Sequence, residues 1–304
     1  MKLDRRKFFR TVGVGVAACA AKPASAENSA PVEREPCGML VDTTVCIGCR
    51  KCEWACNQTH ELSPKRLEEF EDFSVYEKER RMEADSYTVV NRYPNPRDPD
   101  KPIHVKVQCM HCLKPACASA CLVGAFNIED SGAVTYDAGK CMGCRYCLVA
   151  CPFGVPTYEY DNPFNPRVMK CSFCHAEKIK EGKIPACAEI CPPMALTFGK
   201  RSELLKLARE KIAAHPDKYI NHIYGEHEVG GTCWLYLASK EFEELGLLSL
   251  GTDPVPALTE AIQHGIFKFG IPPLLLYGLL GAAMWSFRHR EEDEQAPARA
   301  EVKP

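Results

Sequence analysis

Sixteen of the nineteen cysteines fall into four tetrads. They are Cys46, Cys49, Cys52 and Cys56; Cys109, Cys112, Cys117 and Cys121; Cys141, Cys144, Cys147 and Cys151; and Cys171, Cys174, Cys187 and Cys191. That is the thiolate set of four 4Fe-4S clusters. The first and third tetrads read C-x2-C-x2-C-x3-C, in which a tight loop points three thiolates at one cubane. The fourth cysteine, expected to start a helix, reaches a neighbouring cluster. The second tetrad is spaced 2, 4, 3 and the fourth 2, 12, 3, so both keep the opening C-x-x-C and the closing C-x3-C around an insert. Spacing gives the swap of the fourth thiolate and leaves open which tetrads exchange. A chain organised this way moves electrons.

The first tetrad, Cys46-Ile-Gly-Cys-Arg-Lys-Cys-Glu-Trp-Ala-Cys56, and the third, Cys141-Met-Gly-Cys-Arg-Tyr-Cys-Leu-Val-Ala-Cys151, are an internal repeat, each with an aspartate upstream, Asp42 and Asp137. Gly48 and Gly143 sit where backbone wrapped round a cluster needs positive φ or a close approach. Their amides are expected to face the cluster sulfides. Pro152 and Pro192 follow the last cysteine of two tetrads; Asn57 and Leu122 take that place in the others. Disulfides serve small secreted scaffolds without a core, and structural zinc uses isolated C-x-x-C pairs or mixed Cys/His sets, so neither accounts for the tandem spacing. Cys171-Ser-Phe-Cys174-His175 also satisfies the C-x-x-C-H pattern of covalent haem attachment. Haem there would strand Cys56, Cys187 and Cys191. His175 and His111 are therefore expected beside the ligands or at the surface, Cys233 in the core, and Cys37 outside any cluster.

Asp4-Arg-Arg-Lys-Phe-Phe9, the apolar stretch Val12 to Ala21 and the small residues Ala24-Ser25-Ala26 predict a twin-arginine export signal over residues 1–26. That route carries folded, cofactor-loaded proteins to the periplasmic side. Val16-Ala-Ala-Cys19 also resembles a lipidation box. Near the other end, Phe269 to Phe287 is a run of 19 residues without a charge, long enough to span hydrocarbon. Residues 265–288 are expected to form a transmembrane helix whose first turn holds Pro272 and Pro273. Arg288, His289 and Arg290 follow it, which puts residues 289–304 in the cytoplasm and the body on the periplasmic face of the inner membrane.

Between these ends lie residues 27–264, of a size for one large or two fused domains. The formal net charge of −2 shows no basic field, which excludes a nucleic-acid partner. Residues 57–102, rich in charge and closing on Arg92-Tyr-Pro-Asn-Pro-Arg-Asp-Pro-Asp-Lys-Pro102, predict a surface insert. Ile103 to Val107 alternates and predicts a strand delivering Cys109. Ser202 is expected to cap a helix, and Cys233 to Ala238 to form a strand. No nucleotide-binding loop, nucleophile elbow or metalloprotease helix occurs, so no catalytic residue is assigned.

The four tetrads, Asn162-Pro-Phe-Asn-Pro166, Tyr224-Gly-Glu-His-Glu-Val-Gly-Gly-Thr232 and the tail resemble, over nearly the whole chain, the iron–sulfur subunits of bacterial membrane-bound oxidoreductases. An export signal combined with one tail helix is most similar to the electron-transfer subunits of hydrogenase-2-type nickel-iron hydrogenases. The resemblance implies an α+β fold of two intertwined bacterial ferredoxin-like modules with insertions, plus the C-terminal transmembrane helix. It implies that tetrad one exchanges with four and two with three. The clusters would then be held by Cys46, Cys49, Cys52 and Cys191; by Cys171, Cys174, Cys187 and Cys56; by Cys109, Cys112, Cys117 and Cys151; and by Cys141, Cys144, Cys147 and Cys121. The implied partners are nickel-iron hydrogenase large and small subunits and an integral membrane quinone-reactive subunit. A molybdenum or tungsten formate dehydrogenase is the alternative catalytic partner.

Overall fold

A computed structural model describes residues 35–257, Glu260 and residues 271–294. The chain divides into Met1–Glu35 and a body from Pro36 onward; the expected export signal and Cys19 lie outside the described residues. In chain order the body carries β1 (Cys37–Asp42), α1 (Lys51–Thr59), β2 (Thr88–Tyr93), β3 (Ile103–Gln108), α2 (Ala116–Ser119), β4 (Phe126–Ile128), β5 (Val134–Tyr136) and α3 (Tyr146–Ala150). There follow β6 (Thr157–Tyr158), β7 (Val168–Met169), α4 (Ala186–Glu189), β8 (Leu196–Lys200), α5 (Arg201–Ala214), β9 (Trp234–Leu237) and α6 (Ile271–Glu294). The result is a mixed helix and strand domain.

The central strand is β1. Its Met39-Leu-Val run is apolar on both faces, as a strand covered on two sides must be. It pairs antiparallel with β8 and parallel with β9. Helix α5 covers one face, burying Leu204, Leu205 and Ala208 against Leu40, Leu235 and Leu237. Each such leucine contributes about 1.5–3 kcal/mol over its exposed state. Ser202 does not cap this helix: Lys200 holds the N-cap position and makes no side-chain capping bond, and Ser202 falls in the first turn. Tertiary bonds fix the entry instead. The amide of Arg201 donates to Pro36 O, and its guanidinium donates to the carbonyls of Thr232, Gly225 and Glu226. The Tyr224 to Thr232 motif is thereby a clasp between α5 and β9.

The two halves of the tetrad set pack as helix pairs. Helix α1, from the first tetrad, lies against α4, from the fourth; α2, from the second, lies against α3, from the third. Two expectations need correction. The 57–102 insert is not all surface, since β2 within it is buried from Thr88 to Asn91. Pairing with β3 and the Glu53 carboxylate, which accepts from the Val90 amide at 2.6 Å, draw it inward. Strand β3 extends to Gln108 and is buried on both faces, so the polar positions of its alternating pattern, His104 and Lys106, face the interior. Toward the C-terminus, α6 runs uncharged from Ile271 to Phe287, and Leu274 to Phe287 are exposed. Among the described residues no helix is long and apolar enough to cross a membrane; residues 265–270 of the expected span lie outside them.

Candidate metal centres

Every tetrad is built on the same local plan. The residue before the second cysteine has positive φ in all of them: Gly48 at 68°, His111 at 46°, Gly143 at 74° and Phe173 at 61°. Glycine takes that conformation freely, while His111 and Phe173 take it at a cost of about 1–2 kcal/mol each. Their rings stack at 4.8 Å in the core, which holds both turns in place. The third cysteine, not the fourth, starts a helix. Cys52, Cys117, Cys147 and Cys187 are each second in α1, α2, α3 and α4. The fourth then sits one turn on, inside α1 as Cys56 or just past the end of the shorter helices. A C-x3-C step is one helical turn, so the helix becomes a strut between two neighbouring thiol groups.

The thiols gather across tetrads. Site I is a cavity lined by Cys46, Cys49, Cys52 and Cys191, walled by Val41 and Lys106. At site II, Cys56 feels the charges of Cys171, Cys187 and Cys174. Site III is a cavity lined by Cys109, Cys112, Cys117 and Cys151, with Lys170 in its wall. At site IV, Cys147 feels Cys141, Cys144 and Cys121. The sites also have an order. Cys52 packs in one cluster with Cys187, Cys171 in a second with Cys109, and Cys117 in a third with Cys147, so the succession is I, II, III, IV.

Burial raises the pKa of many of these thiols: Cys46 to about 11, Cys171 and Cys174 to about 12, with Cys52, Cys56 and Cys187 also pushed up. Four thiolates sharing a dry cavity repel one another and lack hydration, a cost that bound iron removes. Among the described residues no three His, Cys, Asp or Glu side chains are placed to hold a single metal ion. A cubane, which offers one iron to each thiolate, needs a wider cage. Backbone amides complete the donor set by stabilising the sulfur charge. Gly143 N donates to Cys141 Sγ at 3.3 Å, Phe173 N to Cys171 Sγ at 3.4 Å and Ala125 N to Cys121 Sγ at 3.2 Å. The Gly143 amide thus serves a cysteine of its own tetrad. The residues present fit 4Fe-4S clusters.

No disulfide joins any of the eighteen described cysteines. Cys233 is fully buried in the core, where its thiol is pushed to about 12 by burial. Neither His175 nor His111 is at the surface. The ring of His175 is held by Ser131 Oγ at 3.0 Å and Glu129 Oε2 at 3.3 Å. His111 is fully buried, its pKa is pushed well down by burial, and its Nδ1 accepts from the Val134 amide at 2.9 Å. A neutral imidazole accepting at Nδ1 carries its proton on Nε2. Sequence reasoning missed three groups. His60 Nε2 lies 3.5 Å from Cys174 Sγ while its Nδ1 meets Glu177 Oε1 at 3.3 Å. The lysines Lys106 and Lys170 are buried beside the thiols. For His60 no local signal exists, the contact spanning 114 positions; for Lys106 the alternation in β3 pointed outward, and Lys170 follows the two-residue strand β7 with no pattern around it.

The chain matches the family model of the 4Fe-4S dicluster domain over residues 102–201. A protein of Nitratidesulfovibrio vulgaris strain Hildenborough is 45% identical over 99% of this chain and 81% of its own. The hydrogenase-2 operon protein HybA of Escherichia coli O157:H7 is 35% identical over 91% of this chain and 94% of its own. The iron–sulfur subunit of the nitrate-inducible formate dehydrogenase of Escherichia coli K12 is 34% identical over 75% and 77%.

Proposed function

Since the chain belongs to the family of 4Fe-4S electron-transfer subunits that includes HybA and the formate dehydrogenase iron–sulfur subunits, we propose that it relays electrons through four clusters between a periplasmic nickel-iron hydrogenase and a quinone-reactive membrane subunit. The observation that carries this reading is the single file of thiol sites I to IV, each packed against the next. When bound, each cluster supplies a one-electron carrier whose potential follows its charge, burial and hydrogen bonds. Cys46, Cys49, Cys52 and Cys191 would hold the first; Cys56, Cys171, Cys174 and Cys187 the second. Cys109, Cys112, Cys117 and Cys151 would hold the third, and Cys121, Cys141, Cys144 and Cys147 the fourth.

The protein's own part is to exclude water and stabilise negative sulfur. The four cysteines of site II are buried and those of sites I and III are buried or half-buried, whereas Cys144 of site IV is the one exposed cysteine among the described residues, which suits the last site for handing electrons to another subunit. Hydrogenase is preferred over formate dehydrogenase because the likeness to HybA extends over more of both chains. The same reading takes residues 1–26 as a twin-arginine signal and residues 265–288 as a single-pass anchor.

The test is detergent purification of the tagged chain from native membranes, mass spectrometry of what accompanies it, and assays with hydrogen and with formate. Co-purifying nickel-iron subunits with hydrogen-dependent dye reduction support the proposal. A pterin-containing subunit with formate activity replaces the catalytic partner and leaves the relay standing.

A further inference from the structure

Two lysines are buried at the junctions between thiol sites, and neither has a carboxylate partner among the described residues. Lys106, 3% exposed, projects from β3 into the wall of site I. Its Nζ donates to Thr88 Oγ1 at 2.7 Å and Gln108 Oε1 at 2.9 Å, and lies 4.6 Å from the Trp234 ring centroid. Gln108 Nε2 donates to Tyr236 Oη at 2.7 Å, and that hydroxyl donates to Lys106 O at 2.9 Å, closing a ring of bonds that fixes the side chain. All its acceptors are neutral. The thiols nearest in influence to it are Cys52 of site I and Cys56, Cys171 and Cys187 of site II. Lys170, 6% exposed, stands at the next junction: its Nζ donates to Val134 O and to Cys171 O at 2.9 Å, and lies 3.8 Å from Cys109 Sγ. Beside site IV the cation is Arg145, which is exposed.

A buried ammonium without a counter-charge is expensive. Neutral acceptors satisfy its protons and leave its charge unbalanced. Thiolate-ligated clusters are anionic and become more so on reduction, and they supply the missing charge. We propose that Lys106 and Lys170 are electrostatic positioning residues of the relay, Lys106 favouring the reduced state at sites I and II and Lys170 at sites II and III, with site IV left to solvent. This rests on the relay reading and adds to it an asymmetry: the clusters of sites I to III are held at higher potential than their thiolate ligation alone would set. The gap is bridged by fixed charge, since the lysines are locked by their bonds and reorganise little as electrons pass.

The test is an anaerobic redox titration of the complex purified from native membranes, followed by electron paramagnetic resonance, with Lys106→Met, Lys106→Gln and Lys106→Arg. The expected result for Lys106→Met is a fall of about tenfold or more in the reduction equilibrium of two clusters, about 59 mV for a one-electron couple, with the other two unmoved. Lys106→Arg should restore the wild-type values. Loss of iron from Lys106→Met and Lys106→Gln with full iron in Lys106→Arg also supports the proposal, because only the charge separates them. The proposal is overturned if no potential moves, if all four move together, or if Lys106→Arg is depleted or shifted as far as Lys106→Met. Wild-type protein without 4Fe-4S signals would instead bring down the relay reading itself.

Discussion

Replacing Gly48 by alanine tests whether the loop geometry at site I, and not only its thiols, holds a cluster. Gly48 has φ of +68°, and a Cβ there would stand 2.3 Å from His104 Cδ2 and 2.4 Å from His104 Nε2. The imidazole has little room to retreat: it is buried, and the Tyr76 ring packs at 5.3 Å while Tyr76 Oη donates to Gly48 O at 2.6 Å. The left-handed backbone costs about 1–2 kcal/mol for alanine, and overpacking against the ring about 1–3 kcal/mol more. Gly124, in the turn after Cys121, separates the two contributions, having φ of +60° and nothing within 4 Å of the added carbon. Gly124→Ala should therefore carry the backbone cost alone. The assay is anaerobic heating followed by cluster absorbance, with iron counted per chain. At about 2–4 °C per kcal/mol, Gly124→Ala should melt about 2–8 °C below wild type, and Gly48→Ala lower again by about 2–12 °C. Gly48→Ala should also release the iron of one cluster before the rest. His104→Ala added to Gly48→Ala should recover the second decrement. Equal behaviour of the two glycine variants, or no recovery in the double variant, would refute the reasoning.

Glu53, 2% exposed, accepts from Arg50 at 3.1 Å, from Arg80 and from the Val90 amide. Glu53→Gln leaves two guanidiniums uncompensated and should cost about 3–5 kcal/mol, read from anaerobic chemical unfolding. The carboxylate of Asp42 is pushed up by burial, but the bonds it accepts from Thr44, Lys211 and Tyr219 outweigh this and hold it below the usual carboxylate range. Its contribution is therefore fully present above about pH 4 and lost as pH falls through the lower folded value. Asp42→Asn should flatten the stability slope below about pH 4, and an unchanged acid slope would count against the assignment. Cys144, exposed at site IV, would hold the fourth cluster, so Cys144→Ser should lose that cluster and abolish hydrogen-dependent reduction of quinone. Resonance signals of three remaining clusters should persist; sustained quinone reduction would remove site IV from the path.

The cluster-bearing parts of this fold were legible because their chemistry is local. C-x-x-C loops and the C-x3-C turn follow from a few neighbouring positions, and the Gly48 and Gly143 repeat reappears as matching left-handed turns with Arg50 and Arg145. The upstream aspartates share a position in the repeat and little else: Asp42 is buried beneath Lys211, whereas Asp137 is half-buried beside Lys140. What escaped was non-local. His111 and Phe173 adopt glycine-like backbone because each ring supports the other across 62 positions, a trade invisible to local propensity. Lys106 occupies the polar phase of an alternating strand, a pattern that ordinarily marks a solvated face. Here that face meets anionic sulfur, so the same alternation carries the opposite meaning. Strand β2 was hidden by a similar cause, Glu53 recruiting its amide from another element.

The helical strut between third and fourth cysteines has a consequence for how the protein can be made. Each site borrows one thiol through such a strut, so the four nest like brackets: sites III and IV draw only on residues 109–151, while sites I and II enclose them, from Cys46 to Cys191. As the chain leaves the ribosome, the inner pair has all its ligands some forty residues before the outer pair, and β1 waits longer still for β9 to supply its parallel edge. Iron loading should then proceed from the middle of the sequence outward. A chain truncated after Cys151 would keep two complete ligand sets, whereas deleting the first tetrad alone would disable two clusters at once.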